Sequence, residues 1–200
     1  MGNGISTQVW QNVMSTIRVG LHSTVAKNAA SLYVIQFAQY ILPLITIPYL
    51  VRVLEPSGYG FVAFGQSFIA YFVILVDFGF AFSATRTISL EREDVAAVSR
   101  IASHVWASKA LLAAAGFVLL LMTVAFVPKL QESSALLLVL YGTVIGSMLL
   151  PTWLFQGMER MVPVSVINLI TQFSILLGVF TLVHRPEDYI VYASLMSIGS

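Results

Sequence analysis

Stretches of about 20 residues with almost no charge recur along this chain, and a helix needs that length to cross a hydrocarbon core roughly 30 Å thick. The run from Gly60 to Ala84 holds one charged residue, Asp77. A soluble domain carries about 25% charged residues, because its surface must face water. Here charged residues make up 10%, hydrophobic residues 58%, and the mean hydropathy is +0.88. Lipid is therefore the expected solvent for most of the outside. The expected fold class is all-α, a polytopic transmembrane bundle, because a helix satisfies its own backbone where no water is present.

Five spans follow from these runs: Ala30–Val51, Gly60–Ala84, Ala110–Val127, Ser134–Phe155 and Pro163–Val183. Tyr189–Ser200 begins a sixth, and twelve residues do not cross a bilayer comfortably. The sequence thus reads as the N-terminal part of something longer, with a transmembrane lobe over 30–200. Residues 1–29 differ in polarity. Ile5, Val9, Val13, Ile17, Leu21 and Val25 recur every four residues among polar ones, which predicts an amphipathic helix at the cytoplasmic interface with Trp10 at headgroup depth. The alternative is an unstructured polar leader. A secretory signal is not expected, since no basic residue precedes the apolar part.

Lys and Arg set the orientation. With the N-terminus inside, the inner segments hold Arg18, Lys27, Arg86, Arg92, Arg100, Lys109 and Arg160, and the outer ones only Arg52, Lys129 and Arg185. The N-terminus is expected in the cytoplasm. The inner loop from Thr85 to Lys109 is the longest, and its Val95, Val98, Ile101, Ala102 and Val105 suggest an interfacial helix leading into the third span. A net charge of +1 argues against a nucleic-acid partner. Zero cysteines and three scattered histidines, His22, His104 and His184, point to no metal, no cofactor and no thiol chemistry.

Polar groups inside apolar spans carry the functional information. Gln36, Gln39, Pro43 and Thr46 fall on one helical face of the first span. Pro43 and Pro48 each remove a backbone donor, so they are candidate hinges, or else they only shape packing. Gln66 and Asp77 share a face of the second span, eleven residues being close to three turns. An ionised carboxylate within a span costs roughly 2.5–3.5 kcal/mol on insertion scales, so Asp77 must face the interior, pair with a cation or be protonated. It either lines a transport path or pins a neighbouring helix. Ser165, Asn168, Thr171 and Gln172 form a third stripe, and Gly142 and Gly146 permit close helix contact. No span offers a paired-carboxylate, serine–histidine or metal arrangement, so no catalytic residue is expected.

Several motifs in order resemble the start of bacterial polysaccharide biosynthesis flippases, the Wzx-type O-antigen translocases of the multidrug, oligosaccharidyl-lipid and polysaccharide exporter superfamily. They run Ser31-Leu32-Tyr33-Val34-Ile35-Gln36-Phe37, Leu42-Pro43 through Leu54, Ser57-Gly58-Tyr59-Gly60, Val76-Asp77-Phe78-Gly79-Phe80, Ser83-Ala84-Thr85-Arg86 and Trp153-Leu154-Phe155-Gln156-Gly157-Met158-Glu159. One departure is Glu55, where the family commonly has Gly before Pro56. The resemblance implies the N-terminal lobe of a two-lobe protein of about twelve to fourteen helices. It implies no enzyme but a transporter in the bacterial inner membrane, moving undecaprenyl-diphosphate-linked oligosaccharide between leaflets by alternating access. Its partners would be that lipid-linked glycan, membrane lipids and a C-terminal lobe. Arg52 and Arg86 then become candidates for the diphosphate, or they snorkel as arginines at span ends do. Gln156, Glu159 and Arg160 become candidates for a cytoplasmic gate.

Other readings compete. An exporter of small cations or drugs in the same fold would show acidic cavity groups without basic partners. A membrane-embedded enzyme would want a large outer loop with clustered acid–base residues. A scaffold would leave the polar stripes unused.

Overall fold

The chain is described by a computed structural model over residues 36–77 and 79–200. The expected amphipathic segment 1–29 and the first six residues of the first expected span lie outside the described residues. Among those described, every regular element is helical. Four helical stretches are long and apolar enough to cross a membrane: Glu55–Glu91, Val95–Phe126, Ser134–Gly157 and Val162–Leu182.

Helix α1 covers residues 36–53 and continues through both prolines. Leu54 and Glu55 reverse the chain, with Glu55 at φ 59. Helix α2, Glu55–Asp77, then runs back, and Pro56 suits a first turn whose N–H groups lack partners anyway. Gly79, at φ 78, takes a left-handed conformation that costs glycine little, and its carbonyl accepts from the N–H groups of Phe82 and Ser83. Helix α3, Phe80–Glu91, starts there. The second expected span, drawn as unbroken to Ala84, is therefore divided at this glycine.

Asp94 caps helix α4, Val95–Phe126, accepting from the N–H groups of Ala96 at 2.9 Å and Ala97 at 3.1 Å. The 32 residues extend about 48 Å, more than the hydrocarbon thickness. The interfacial helix and third span expected as separate pieces are one continuous helix, since nothing between Val95 and Phe126 breaks it.

A short helix α5, Pro128–Gln131, turns the chain into α6, Ser134–Leu140, α7, Gly142–Leu149, and α8, Thr152–Gly157. The fourth expected span is thus interrupted at Tyr141 and again before Pro151, which has no N–H to continue a helix. Helix α9, Val162–Leu182, nearly coincides with the fifth expected span. A 3₁₀ turn at Pro186–Asp188 leads into α10, Tyr189–Ile198.

Lipid gives helices no hydrophobic reason to associate, so close packing and interhelical hydrogen bonds hold them. The main core joins α1, α2, α4, α6, α7 and α10 around Leu50, Ile69, Leu120, Leu137, Tyr141 and Tyr192. The Tyr141 hydroxyl donates to the Ala113 carbonyl at 2.6 Å, beside Gly116, where a Cβ would stand 2.9 Å from that oxygen. Tyr49 donates to the Val183 carbonyl at 2.9 Å. Gly142 and Gly146 admit Ser197 and Ser200, so the close contact expected of that pair serves α10. A second core gathers Ala84, Ile88, Ala102, Val105 and Trp153 where α3, the first half of α4 and α8 meet.

Two glutamates hold backbone conformations that glycine would take more cheaply. Glu159, at φ 56, follows α8 in a Schellman motif: its own N–H donates to Gln156 at 3.1 Å and that of Arg160 to Phe155 at 2.8 Å. Glu159→Gly is expected to raise stability by about 1 kcal/mol. It forfeits the Arg92–Glu159 ion pair, 3.0 Å long, but that pair is solvent-exposed and worth little. Glu55→Gly should act in the same direction, and denaturant midpoints of the purified chain would register either gain.

The loop between α9 and α10 is closed by Asp188, whose carboxylate accepts from the N–H groups of His184 and Arg185, both at 2.9 Å. These bonds hold its pKa below the ordinary carboxylate range. Because the folded pKa is depressed, the clip is complete above the unfolded value near 3.9 and is lost as pH falls through the folded one. The His184 and Arg185 amide resonances should therefore move together, with a midpoint under about pH 3.9.

Candidate functional site

Three polar stripes converge on one cavity of about 490 Å³ between α1, α2, α7, α9 and α10. Helix α1 supplies Gln39, Pro43 and Thr46, α2 supplies Tyr59 and Gln66, and α9 supplies Asn168, Thr171 and Gln172. Thr143 and Tyr192 add two hydroxyls. Among the described residues, none that lines the cavity is charged. Gln66 stands eleven residues along α2 from Glu55, about 17 Å from that end.

Local chemistry explains the wall on the α1 side. Pro43 has no N–H to donate to the carbonyl of Gln39, one turn before it on the same wall. The buried Thr46 hydroxyl donates to the Leu42 carbonyl at 2.8 Å, a back-bond of the kind that bends helices. On α9, the Gln172 Oε1 atom is buried without a hydrogen-bond partner among the described residues. Burying an amide acceptor unpaired costs roughly 1–3 kcal/mol, so this oxygen is ready for a donor.

The charged candidates lie elsewhere. Asp77 ends α2, about 33 Å along the helix from Glu55. Its Oδ1 accepts from the Lys109 Nζ of α4 at 2.7 Å. The Lys109 side chain is 3% exposed and that of Asp77 47%. Sequence reasoning placed Lys109 among the loop cations and missed this pair. The available signal was a lone acid near one end of a span and a lone lysine at the start of the next, on the same side of the membrane.

Arg52 and Arg86 are exposed, near opposite ends of the bundle, and line no part of the cavity. Gln36 is exposed on α1 and also outside the lining. Gln156, Glu159 and Arg160 are exposed around the α8 turn, where Glu159 meets Arg92. Of the residues singled out from sequence, the structure therefore brings Gln39, Pro43, Thr46, Gln66, Asn168, Thr171 and Gln172 together and leaves the charged ones at the two ends. Tyr59, Thr143 and Tyr192 were not anticipated. Each is a single polar group without a stripe around it.

No group of three or more His, Cys, Asp or Glu side chains able to hold a metal is present among the described residues. A neutral, hydroxyl- and amide-lined chamber can hydrogen-bond a ligand and shield it from hydrocarbon. It offers no nucleophile paired with a base.

The family model described as polysaccharide biosynthesis protein matches residues 25–200. Two curated relatives, each named "Putative O-antigen transporter", are 29% identical to the chain. The one from Escherichia coli (strain K12) aligns over 171 residues, 86% of this chain and 41% of that protein. The one from Shigella dysenteriae aligns over 175 residues, 86% and 43%. The chain spans about two fifths of the length of these relatives. No solved structure matches it.

Proposed function

The chain belongs to the polysaccharide biosynthesis protein family, and from that premise we propose that it translocates lipid-linked oligosaccharide repeat units across the bacterial inner membrane. The observation that carries the proposal is the polar cavity, with no charged residue among its described lining, between helices long and apolar enough to cross a membrane. A glycan cannot enter hydrocarbon with its hydroxyls unpaired, so a path across needs groups that replace water. Amides and hydroxyls do this without demanding a counter-charge. The relatives' name, O-antigen transporter, agrees in substrate class.

In this reading the protein is a transporter and not an enzyme, its N-terminus is cytoplasmic, and its substrate is the undecaprenyl-diphosphate-linked glycan of O-antigen or exopolysaccharide synthesis. This lobe forms one wall of an alternating-access machine and a C-terminal lobe the other. Arg86 and Arg52 would meet the diphosphate at headgroup depth before and after crossing. Pro43 and Pro48 would let α1 flex as the cavity changes its opening, and Gln156, Glu159 and Arg160 would close the cytoplasmic side. The rival, an exporter of small cations, is disfavoured because no carboxylate side chain among the described residues lines the cavity and the one on α2, Asp77, is paired with Lys109.

The test is complementation of bacteria lacking their own O-antigen flippase, with this chain expressed from its native reading frame. Restored surface polysaccharide is the expected result. Stable membrane insertion with lipid-linked intermediates still accumulating, in a host with a compatible glycan, would overturn the proposal.

A further inference from the structure

The cavity's chemistry allows a narrower statement, which rests on the flippase reading for its biological sense but not for its test. We infer that this lobe holds a subsite for an uncharged sugar, and that the charged parts of any substrate are handled outside it. Four side-chain amides line the chamber, from Gln39, Gln66, Asn168 and Gln172. Each carries an acceptor oxygen and a two-proton donor, the pattern that matches vicinal hydroxyls and acetamido groups. The hydroxyls of Tyr59, Thr143, Thr171 and Tyr192 add further donors and acceptors, with Tyr59 and Tyr192 also presenting apolar ring bodies. Leu42, Ile47, Ile175 and Met196 supply surface for the C–H faces of a pyranose. The volume, about 490 Å³, falls in the usual range of small-ligand sites.

The exclusion of charge is the stronger half of the inference. A uronate carboxylate held between apolar helices costs several kcal/mol unless a cation meets it. Among the described residues, none that lines the cavity is Lys, Arg or His. Lys109, the buried lysine, is engaged by Asp77, which stands about 17 Å farther along α2 than Gln66. Conversely, the buried Gln172 Oε1, without a partner among the described residues, is satisfied by any sugar O–H or N–H that reaches it.

Saturation-transfer NMR titrations on the purified chain in lipid nanodiscs test this. The probes are a neutral N-acetylhexosamine disaccharide and a disaccharide of equal length carrying a hexuronate. The neutral sugar should bind at least about tenfold more tightly, and Gln172→Leu should weaken it by about tenfold. Asn168→Leu, half-buried on the same wall, guards against a folding artefact at Gln172 and should also weaken it. Equal affinity for the two sugars, no saturable binding of either, or full affinity in both variants would overturn the subsite. Complementation reports separately. Rescue of neutral and acidic glycans alike, with no sugar preference in the titration, removes the subsite and leaves the flippase. Neutral-sugar binding without any rescue removes the flippase and leaves the subsite.

Discussion

Asp77→Leu is expected to lower the unfolding free energy of this bundle by about 3 kcal/mol, and Lys109→Met by less than half as much. The two residues form one ion pair, yet their surroundings differ. The Lys109 side chain is 3% exposed, so removing Asp77 strands a buried ammonium among apolar neighbours. The Asp77 side chain is 47% exposed, so removing Lys109 leaves a carboxylate that water or headgroups can still solvate. Methionine also fills most of the volume that lysine vacates. Breaking a buried pair from the side that leaves the deeper charge is the costly direction. The double replacement should recover most of the loss, because it strands neither charge. Trp106 lies one turn before Lys109 and packs edge-on to Trp153 with ring centroids 6.3 Å apart, so indole fluorescence during denaturant unfolding follows this region directly. Equal losses for the two single variants, or the reverse order, would refute the burial argument.

The same variants separate two roles for the carboxylate. If Asp77 only pins α2 to α4, the stable double variant should complement a flippase-deficient host as well as the native chain does. If it relays a proton or turns over with the transport cycle, the double variant folds and fails to transport. Because the pair is a single 2.7 Å contact between two adjacent helices and not part of the cavity, pinning is the expected outcome.

How much of this was legible in the sequence follows from what each signal depends on. Helix positions follow from runs of apolar residues, a local property, and Pro163–Val183 differs from α9 by one residue at each end. The stripes Gln36, Gln39, Pro43, Thr46 and Ser165, Asn168, Thr171, Gln172 follow from helical period alone, and all but Gln36 and Ser165 line the cavity. Their meeting at one cavity depends on which helices are neighbours, which period does not report. The Asp77–Lys109 pair spans 32 residues, and a lysine at the edge of an apolar run ordinarily reads as a snorkelling cation. The break at Tyr141 escaped notice for another reason. Tyrosine has no intrinsic helix-breaking chemistry, and its hydroxyl is held by the Ala113 carbonyl of another helix. Glu55 was flagged as standing where a glycine is usual, and its φ of 59 gives the physical reason: the chain reverses there through a left-handed residue.

Gly157→Val should cost about 2–3 kcal/mol, while Gly60→Ala, also in a helix, should be neutral or stabilising by up to about 1 kcal/mol. A Cβ at Gly157 would stand 2.8 Å from Ile88 Cγ2, 2.9 Å from Ile88 Cβ and 3.0 Å from the Thr85 carbonyl oxygen. None of these is the loose end of a flexible side chain. Two belong to a β-branched residue that is fully buried, and the third is backbone, so α8 itself must move away from α3. Moving it lengthens the 3.2 Å bond from the Thr85 hydroxyl to the Trp153 carbonyl and opens the second core around Trp153. At Gly60 a Cβ meets nothing within 4 Å, so the helix only gains propensity. The contrast bears on what the motif from Trp153 to Glu159 is for. Its buried members, Trp153 and Gly157, dock against the segment Ala84–Ile88, which carries the exposed Arg86. A loss of stability in Gly157→Val together with lost transport would make the motif a clamp that holds the Arg86 segment in place. Lost transport with full stability would instead favour the gate proposed for Gln156, Glu159 and Arg160.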